Sequence, residues 1–331
     1  MNPDTMQAVR IREWGGPEVL EITSVPRPRA PGKFVLVGVA AAGLNRGDIA
    51  QRQGRYPPPP GAPDTPGLEL AGMVVATGPD SVRWKAGDAV CGLVGGGAHA
   101  EFCLVHEDHL VPVPRGLSML EAGGLVEAAA TVWANVFDTA ALRPGQRILV
   151  HGGASGIGTI AIQMAAAHGA EVFTTARGAD RCRRCVAIGA AVAIDYEHED
   201  FVAVVDEQTA GRGVDVILDM VGGDYVERNI AAAAAGGKIV WIAFLKGSRV
   251  TVDLRPVQKK RLTLAGSTLR GRSEAEKTIV MQALERDVWP LVEAGLVKPI
   301  IDATFSLHDV ASAHVRLEAG GHFGKIVLEV R

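Results

Sequence analysis

Strand-like and helix-like runs alternate regularly between residues 147 and 268. Six apolar runs have strand character: RILVHGG, EVFTTAR, VAIDY, VDVILDMVG, KIVWIAF and LTLAGST. Four stretches with helical spacing stand among them: GIGTIAIQMAAAHG, ADRCRRCVAIG, EDFVAVVDEQTAG and DYVERNIAAAAAGG. Parallel neighbours need a crossover connection, usually a helix, so this alternation is typical of a doubly wound parallel sheet. The sequence therefore predicts an α/β fold with a six-stranded Rossmann-type domain.

The rest of the chain has a different pattern of apolar and turn residues. Short β-like runs such as FVLVGVAAAGL and LAGMVVATG fill the first part, separated by proline, glycine and aspartate. This pattern predicts a partly open β-barrel. The tail adds a helical stretch ending in VEAG and a last strand, GKIVLEV. At 331 residues the chain is long enough for about two domains, and we expect a β-rich domain of residues 1–129 and 271–331 split around a nucleotide-binding domain of residues 130–270.

The turn HGGASGIG after the first of the six strands resembles the dinucleotide fingerprint G-x-G-x-x-G. Gly153, Ser155 and Gly158 occupy the three glycine positions. We expect Gly153 to allow the tight turn and Gly158 to allow close packing of helix and strand. Serine is small enough for the middle position, where its hydroxyl can donate to a phosphate oxygen. The helix beginning near Gly156, with Ile157 in its first turn, adds N–H groups that hold an anion. The turn predicts dinucleotide binding.

The end of the second strand predicts which dinucleotide binds. An NAD site has Asp or Glu there to accept from the ribose 2′-hydroxyl. This chain has Arg177 at the strand end and Arg181 one helical turn later, while Asp180 already lies in the helix. Guanidinium groups suit a 2′-phosphate, so the sequence favours NADPH. The alternative is a pair of solvated arginines near a helix start.

Composition and charge exclude several other classes of protein. The formal net charge of −3 argues against nucleic-acid binding, which usually needs a basic surface. The most apolar run, IAAAAAGGKIVWIAFL, contains two glycines and Lys238 and is shorter than a membrane span. The first residues lack a basic segment followed by an apolar core, so we expect no signal peptide. Four irregularly spaced cysteines favour a reduced, cytoplasmic chain.

Two patterns could suggest a metal or redox site. The segment from Cys91 to His109 also contains His99, Cys103 and His106, but strand alternation would distribute these side chains over both faces. We therefore predict no metal there. Another segment has a C-x-x-C pattern, ADRCRRCVAIG, which we expect to be ordinary helix surface rather than a redox motif.

A hydrolase interpretation is also rejected. Ser155, His151 and Asp219 are the residue types of a catalytic triad. The segment HGGASGIG nevertheless lacks the G-x-S-x-G spacing of a nucleophile elbow, and its serine lies where a phosphate is expected.

Several longer motifs resemble the zinc-independent quinone oxidoreductases of the medium-chain dehydrogenase/reductase superfamily, and in particular the p53-inducible quinone oxidoreductase subgroup. These motifs are GGPEVL, LNRGDIAQRQGRYPPPPGAPDTPGLELAG, WKAGDAV, GGGAHAEF, HGGASGIGTIAIQMA, LDMVGG and GKIVLE. The resemblance covers essentially the whole chain after residue 5. It implies a GroES-like catalytic domain, a Rossmann domain that binds NADPH, and reduction of a small quinone or another activated carbonyl.

The resemblance also implies roles for individual residues. Asn45 and Tyr56 would line the quinone pocket and donate hydrogen bonds to the developing oxyanion, and Thr131 would touch the nicotinamide or its ribose. Arg181 stands where the family has a lysine that binds the 2′-phosphate, with Tyr196 beside it. Further cofactor contacts are expected at three positions: Gly222, Phe244 and His322. In two departures from the pattern, Gly178 replaces a phosphate-binding serine and Arg181 replaces lysine.

The zinc-dependent branch of the superfamily has two cysteines and a histidine as ligands of its catalytic metal. This chain has Asn45, Leu68 and Glu127 at those positions, a set that cannot form the open tetrahedral site. We therefore predict no metal and an acceptor that is reactive on its own. Two alternatives remain open: reduction of an enone or enoyl thioester, and a non-catalytic NADPH-binding protein of the crystallin or RNA-binding type. The edge strand LTLAGST predicts a homodimer.

Overall fold

A computed structural model describes residues 4–330. By the density of their contacts these residues form two compact units. The first comprises the chain up to Ala130, Arg270–Glu293 and the residues from Pro299 onward; the second comprises Thr131–Leu269 and Ala294–Lys298. The short segment Ala294–Lys298 differs from the expected division. It groups with the second unit, where the Gln163 side chain bonds both the carbonyl and the N–H of Lys298, each at 2.9 Å.

The strands of the described chain are, in order, β1 (Thr5–Ile11), β2 (Leu20–Pro26), β3 (Phe34–Leu44), β4 (Glu69–Thr77), β5 (Ala89–Leu93), β6 (Phe102–His106), β7 (Leu110–Pro112), β8 (Arg147–His151), β9 (Glu171–Ala176), β10 (Val192–Asp195), β11 (Val214–Asp219), β12 (Ala233–Trp241), β13 (Thr263–Gly266), β14 (Ile301–Ser306) and β15 (Lys325–Glu329).

The α-helices of the same residues are α1 (Arg46–Arg52), α2 (Met119–Gly123), α3 (Val126–Val132), α4 (Gly156–Ala167), α5 (Ala179–Ala187), α6 (Phe201–Gln208), α7 (Tyr225–Ala232), α8 (Arg255–Lys260), α9 (Glu274–Ala283), α10 (Trp289–Glu293) and α11 (Val310–Ala319). Two π-helical segments, Trp133–Thr139 and Leu284–Val288, continue α3 and α9. Among residues 4–330, none of the helices has both the length and the apolar character that crossing a bilayer requires.

The first unit is built on a mixed sheet with the strand order β14-β15-β3-β4-β5-β7, to which β6 is added through β3. The strands β1 and β2 pair separately as an antiparallel hairpin. The long strand β3 coincides with the apolar run FVLVGVAAAGL, and its Val35, Val37 and Val39 side chains enter the core. The last strand, β15, lies between β14 and β3, which places residues near both ends of the chain in one sheet.

The second unit contains a parallel sheet with the strand order β10-β9-β8-β11-β12-β13. Consecutive strands run outward from β8 in one direction and from β11 in the other, so the order reverses between these two central strands. In such sheets ligands bind outside the carboxyl ends of the strands at this switch point. The predicted fold class, a GroES-like domain with a doubly wound Rossmann domain, is confirmed.

Two local expectations in the second unit were wrong. The run DYVERNIAAAAAGG is not one helix: α7 ends at Ala232, and the remaining alanines begin β12, which pairs with β11 from Ala233 onward. An alanine run does not itself end a helix, and here the pairing of β12 with β11 overrides the helical preference of alanine.

The C-x-x-C cysteines do not lie on a helix surface. Cys182 and Cys185 occupy the buried face of α5, and burial raises the pKa of the Cys185 thiol to about 12.

Candidate active site

The glycine-rich turn connects β8 to α4 at the switch point. Gly152 adopts φ +70°, so it allows the tight turn, a role we had assigned to Gly153. Gly153 has a different constraint: a Cβ added there would lie 2.2 Å from Thr174 Oγ1. A Cβ on Gly158 would lie 2.2 Å from the Gly152 carbonyl oxygen. Both glycines are therefore required by close packing of the turn against the strand and of the helix against the turn.

Ser155 is the N-cap residue of α4. Its Oγ accepts a hydrogen bond from the Gly158 N–H at 2.9 Å and donates to Met220 Sδ at 3.7 Å. The hydroxyl thus caps the helix and contacts the loop after β11, whereas we expected it to donate to a phosphate. The N–H groups of Gly156 and Ile157 have no acceptor among residues 4–330. Unpaired N–H groups at the start of a twelve-residue helix fit a pyrophosphate.

Arginine side chains lie at the end of β9, next to the glycine turn. Arg177 Nε donates to Glu197 Oε1 at 2.7 Å, and Arg181 Nη1 donates to the Arg177 carbonyl at 3.3 Å. Tyr196 follows β10 and is exposed. The structure thus brings Arg177, Arg181 and Tyr196 to the ends of neighbouring strands. The Arg177–Glu197 pair is solvent-exposed on both sides, so it offers little resistance to an incoming anion.

Asp195, which sequence reasoning did not single out, fixes the backbone at the same place. Its Oδ1 accepts from the N–H of Gly178 at 2.8 Å and from the N–H of Glu197 at 3.3 Å. The bond from Gly178 is the main reason why the pKa of Asp195 is lowered. Gly178 adopts φ +79°, and open space surrounds the position of its absent Cβ. A serine at this position would be strained by the backbone rather than by its neighbours.

The loops after β11 and β12 pack closely against each other. The N–H of Leu245 donates to the Met220 carbonyl at 3.1 Å, and the N–H of Lys246 donates to the Val221 carbonyl at 2.7 Å. A Cβ added to Gly222 would lie 2.7 Å from Phe244 Cδ1. The Phe244 ring is 46% exposed. Together with the Ser155–Met220 contact, these bonds join three loops at one edge of the parallel sheet.

In the first unit, Asn45 precedes α1 and is 8% exposed. Its Nδ2 donates to Glu69 Oε1 at 3.0 Å and to the Gly43 carbonyl at 3.3 Å, while its Oδ1 accepts from Lys325 Nζ at 2.6 Å. We expected the Asn45 amide to donate to a substrate oxygen. The structure gives both of its N–H groups acceptors within the protein, because the amide is part of a buried polar cluster.

The centre of this cluster is an ion pair between Lys325 on β15 and Glu69 on β4. Lys325 Nζ lies 2.6 Å from Glu69 Oε1, and Glu69 Oε2 accepts from the N–H of Glu127 at 2.9 Å. Sequence reasoning missed Lys325, since nothing in the motif GKIVLE indicates that its first side chain is buried. Among residues 4–330 there is no group of three or more His, Cys, Asp or Glu side chains arranged to hold a metal ion.

Tyr56 is half-buried and packs under a guanidinium group. Arg270 lies 5.1 Å from the centroid of the Tyr56 ring, and its Nη1 donates to the Tyr56 carbonyl at 2.9 Å. The same guanidinium donates to Gln51 Oε1 and to the Gly95 carbonyl, each at 2.7 Å. Burial raises the pKa of Tyr56, and the charge of Arg270 partly opposes this rise. The phenol therefore remains a hydrogen-bond donor at neutral pH. No sequence signal pointed to Arg270.

The remaining expected site residues fall in different units. Thr131 is buried in α3 and belongs to the second unit. His322 belongs to the first unit and stands three residues before Lys325, the first residue of β15.

These two units define a class of protein: a split GroES-like domain that carries an inserted Rossmann domain is the architecture of a nicotinamide-dependent dehydrogenase or reductase. A family model described as "Zinc-binding dehydrogenase" matches residues 156–286, and one described as "Alcohol dehydrogenase GroES-like domain" matches residues 31–115.

Comparison with individual proteins narrows the class. A quinone oxidoreductase of Pseudomonas aeruginosa is 34% identical over 97% of this chain and 98% of its own length. Crystal structures of a quinone oxidoreductase from Pseudomonas syringae pv. tomato are 32% identical with a TM-score of 0.88, covering 98% of this chain and 100% of the other. An NAD-dependent alcohol dehydrogenase gives the same identity, TM-score and coverage. The chain belongs to the quinone oxidoreductase family of the medium-chain dehydrogenase/reductase superfamily.

Proposed function

We propose that this protein uses NADPH to reduce a small quinone and that it does so without a metal. The observation that carries the proposal is the edge of the parallel sheet: α4, with its unpaired N–H groups, follows β8, and Arg177 and Arg181 follow the neighbouring strand β9. The helix start suits the pyrophosphate, and Arg177 with Arg181 suits the 2′-phosphate that distinguishes NADPH from NADH.

Each part of the dinucleotide has candidate partners in this chain. The turn from Gly153 to Gly158 would hold the pyrophosphate, and Arg177, Arg181 and Tyr196 would hold the 2′-phosphate. The remaining contacts would come from Thr131, Gly222, Phe244 and His322. When bound, the reduced nicotinamide supplies a hydride, which is the difficult chemistry of the reaction. The protein then has to hold the two reactants in a fixed geometry.

Tyr56 is the proposed hydrogen-bond donor to the acceptor. A quinone that gains a hydride becomes a hydroquinone anion, and a donor directed at the anionic oxygen lowers the barrier. One further proton, from Tyr56 or from water, completes the hydroquinone. Because both N–H groups of Asn45 are already bonded, we assign Asn45 to the wall of the acceptor site rather than to direct donation. A quinone needs no metal to become electrophilic, which is consistent with the residues at the positions of the zinc ligands.

A titration followed by a substrate panel tests the proposal. Calorimetry with NADPH and NADH measures the preference between the cofactors, and the NADH arm matters because one similar structure is NAD-dependent. Steady-state assays then compare 1,2-naphthoquinone with an enone and a crotonyl thioester. Faster turnover of the thioester would favour double-bond reduction, and tight NADPH binding without turnover would favour a non-catalytic role. Stoichiometric zinc in elemental analysis would overturn the metal-free proposal.

We also propose that the protein acts in the cytoplasm as a homodimer and binds neither nucleic acid nor membranes. Its four cysteines carry no disulfide in the structure, and the formal net charge is negative.

A further inference from the structure

A buried hydrogen-bonded chain, here called the edge network, crosses the carboxyl edge of the parallel sheet from β9 to β12. Thr175 Oγ1 lies 3.0 Å from His151 Nδ1, and His151 Nε2 lies 2.7 Å from Asn229 Oδ1. Asn229 Nδ2 donates to Asp219 Oδ2 at 2.9 Å, and Trp241 Nε1 donates to the same oxygen at 2.9 Å. His151, Asn229 and Asp219 have no exposed surface, so water does not compete for these bonds.

The chemistry of the groups fixes the direction of the hydrogen bonds between Thr175, His151, Asn229 and Asp219. An ionised Asp219 can only accept, so Asn229 must present its NH₂ to Asp219 and its oxygen to His151. His151 therefore carries its proton on Nε2, and its Nδ1 accepts from the Thr175 hydroxyl. Burial is the main cause that lowers the pKa of His151, which keeps the ring neutral. In this arrangement each contact named above has one donor and one acceptor, and a connected network of this kind is rigid.

Both ends of the edge network hold backbone N–H groups of the proposed cofactor loops. At one end, Asp219 Oδ1 accepts from the N–H of Val221 at 2.6 Å and from the N–H of Gly222 at 3.2 Å. At the other end, Thr175 Oγ1 accepts from the N–H of Gly152 at 3.3 Å. These N–H groups belong to the loop after β11 and to the glycine turn after β8, which are the two sides of the switch point.

Trp241 extends the same effect to a third loop. While its indole N–H is bonded to Asp219, its ring stacks against Phe244, with centroids 6.4 Å apart and planes 19° apart. Phe244 contacts the position of the absent Gly222 Cβ, so the network also supports the loop after β12.

We propose that His151, Asn229 and Asp219 are positioning residues for dinucleotide binding. They hold the glycine turn and the Gly222 loop at the spacing that the pyrophosphate and nicotinamide ribose require, and they act through the backbone without touching the cofactor. This inference rests on the proposed function, because it assigns the loops to a dinucleotide.

Two variants interrupt the edge network, and one variant is a matched control. Asn229→Leu removes the central link at similar volume, and Trp241→Phe removes one donor to Asp219 while keeping an aromatic ring beside Phe244. The control is Thr209→Val. The Thr209 hydroxyl is also buried in the second unit, donates to the Val205 carbonyl at 2.7 Å and accepts from the Gly213 N–H at 2.8 Å. Gly213 precedes β11, at the amino end of that strand, far along the strand from the cofactor loops.

Binding of NADPH by calorimetry and thermal unfolding without ligand are measured for all four proteins. We expect Asn229→Leu and Thr209→Val both to lower the Tm. Asn229→Leu should raise the Kd for NADPH about tenfold or more, because the two cofactor loops would no longer be held at the spacing that binding requires. Trp241→Phe should raise the Kd about threefold, and Thr209→Val should leave it within a factor of two.

The outcomes separate the two proposals. A folded Asn229→Leu with the wild-type Kd overturns the positioning role, and so does a Thr209→Val protein whose Kd rises as much, because the effect would then follow stability alone. If Asn229→Leu does not fold, an unchanged Kd in Trp241→Phe overturns the role instead. A wild-type protein that binds neither NADPH nor NADH overturns the proposed function together with this inference.

Discussion

Lys325 Nζ and Glu69 Oε1 lie 2.6 Å apart, and the two side chains are only 4% and 0% exposed. The ammonium and the carboxylate are therefore paired almost entirely out of water, and Asn45 and the Glu127 N–H complete their hydrogen bonds. A buried pair of this kind contributes little net stability as a pair, but breaking it leaves an uncompensated charge.

Replacing Lys325 by Met should lower the free energy of unfolding by about 3–5 kcal/mol, because Glu69 would remain buried without its partner. Urea unfolding followed by circular dichroism measures the change. The control is Arg115→Ala, which breaks a pair with Glu293 whose arginine is exposed and should cost less than about 1 kcal/mol. Equal losses in the two variants would contradict the buried-pair argument.

Tyr56→Phe should lower kcat for 1,2-naphthoquinone about 10–100-fold while leaving the Kd for NADPH unchanged, since only the donor to the developing oxyanion is removed. Burial raises the pKa of Tyr56, so the phenol should stay protonated at neutral and mildly alkaline pH. We therefore expect no loss of kcat from ionisation of Tyr56 below about pH 10. Wild-type turnover by Tyr56→Phe would remove this residue from the site.

The double variant Arg177→Ala, Arg181→Ala should raise the KM for NADPH by about tenfold or more and change the KM for NADH much less. Each lost charge-assisted bond to a 2′-phosphate is worth about 1.5–3 kcal/mol, and NADH has no such phosphate. Arg183→Ala is the control, because Arg183 lies on α5, as Arg181 does, but pairs with Asp180. A similar rise for both cofactors would argue against NADPH preference.

Stability should fall as the pH is lowered from about 6.5 toward 3, partly because of His314. Burial is the main cause that lowers its pKa from 6.5 to about 3, while Arg52 Nη1 lies 3.2 Å from its Nδ1. A group with a lowered folded-state pKa contributes stability above its unfolded pKa and loses it as the pH falls toward the folded value. The slope for one such proton approaches about 1.4 kcal/mol per pH unit.

Urea unfolding at several pH values between 7 and 4 tests this prediction. His314→Gln keeps an acceptor for Arg52 but cannot take up the proton, so it should flatten the pH dependence. His308→Gln, at an exposed position, should not. An unchanged slope in His314→Gln would show that other groups cause the acid sensitivity.

Strand β13 lies at the edge of the parallel sheet, and its Leu264 is 39% exposed. An exposed edge strand can pair with that of a second copy, so light scattering should give the mass of a dimer. Leu264→Lys should shift the population toward the monomer. As a control, Ile279→Lys changes an exposed apolar residue that belongs to the first unit rather than to β13. It should not shift the population. A wild-type monomer would refute the expected homodimer.

Sequence patterns predicted the architecture because it depends on periodicity and turn chemistry, which are local properties. Five of the six strands and the glycine turn fall at the expected positions, whereas β12 begins at Ala233 rather than at Lys238. Strand β3 matches its apolar run from Phe34 to Leu44. The end of α7 was misjudged because the boundary within the alanine run depends on pairing of β12 with β11, a contact between distant residues.

The polar contacts of the candidate site were less predictable. Asn45 was expected to donate to a substrate, yet Lys325, 280 residues away in sequence, lies beside its amide oxygen. Likewise, Arg270 reaches Tyr56 across 214 residues. A sequence motif shows only which residue types follow one another within a short segment. Contacts such as Lys325–Asn45 and Arg270–Tyr56 form only in the tertiary fold, so the local spacing of residues cannot predict them.

The position of β15 between β14 and β3 has a consequence for protein synthesis. Because β15 is hydrogen-bonded on both sides, to β14 and to β3, β14 stays separate from the rest of the first unit's sheet until residues 325–329 have left the ribosome. The strands of the second unit, by contrast, are all translated by Gly266. The nascent chain can therefore assemble its inserted domain first, and for that interval residues 41–44 of β3 lack their partner strand and are open to wrong pairing.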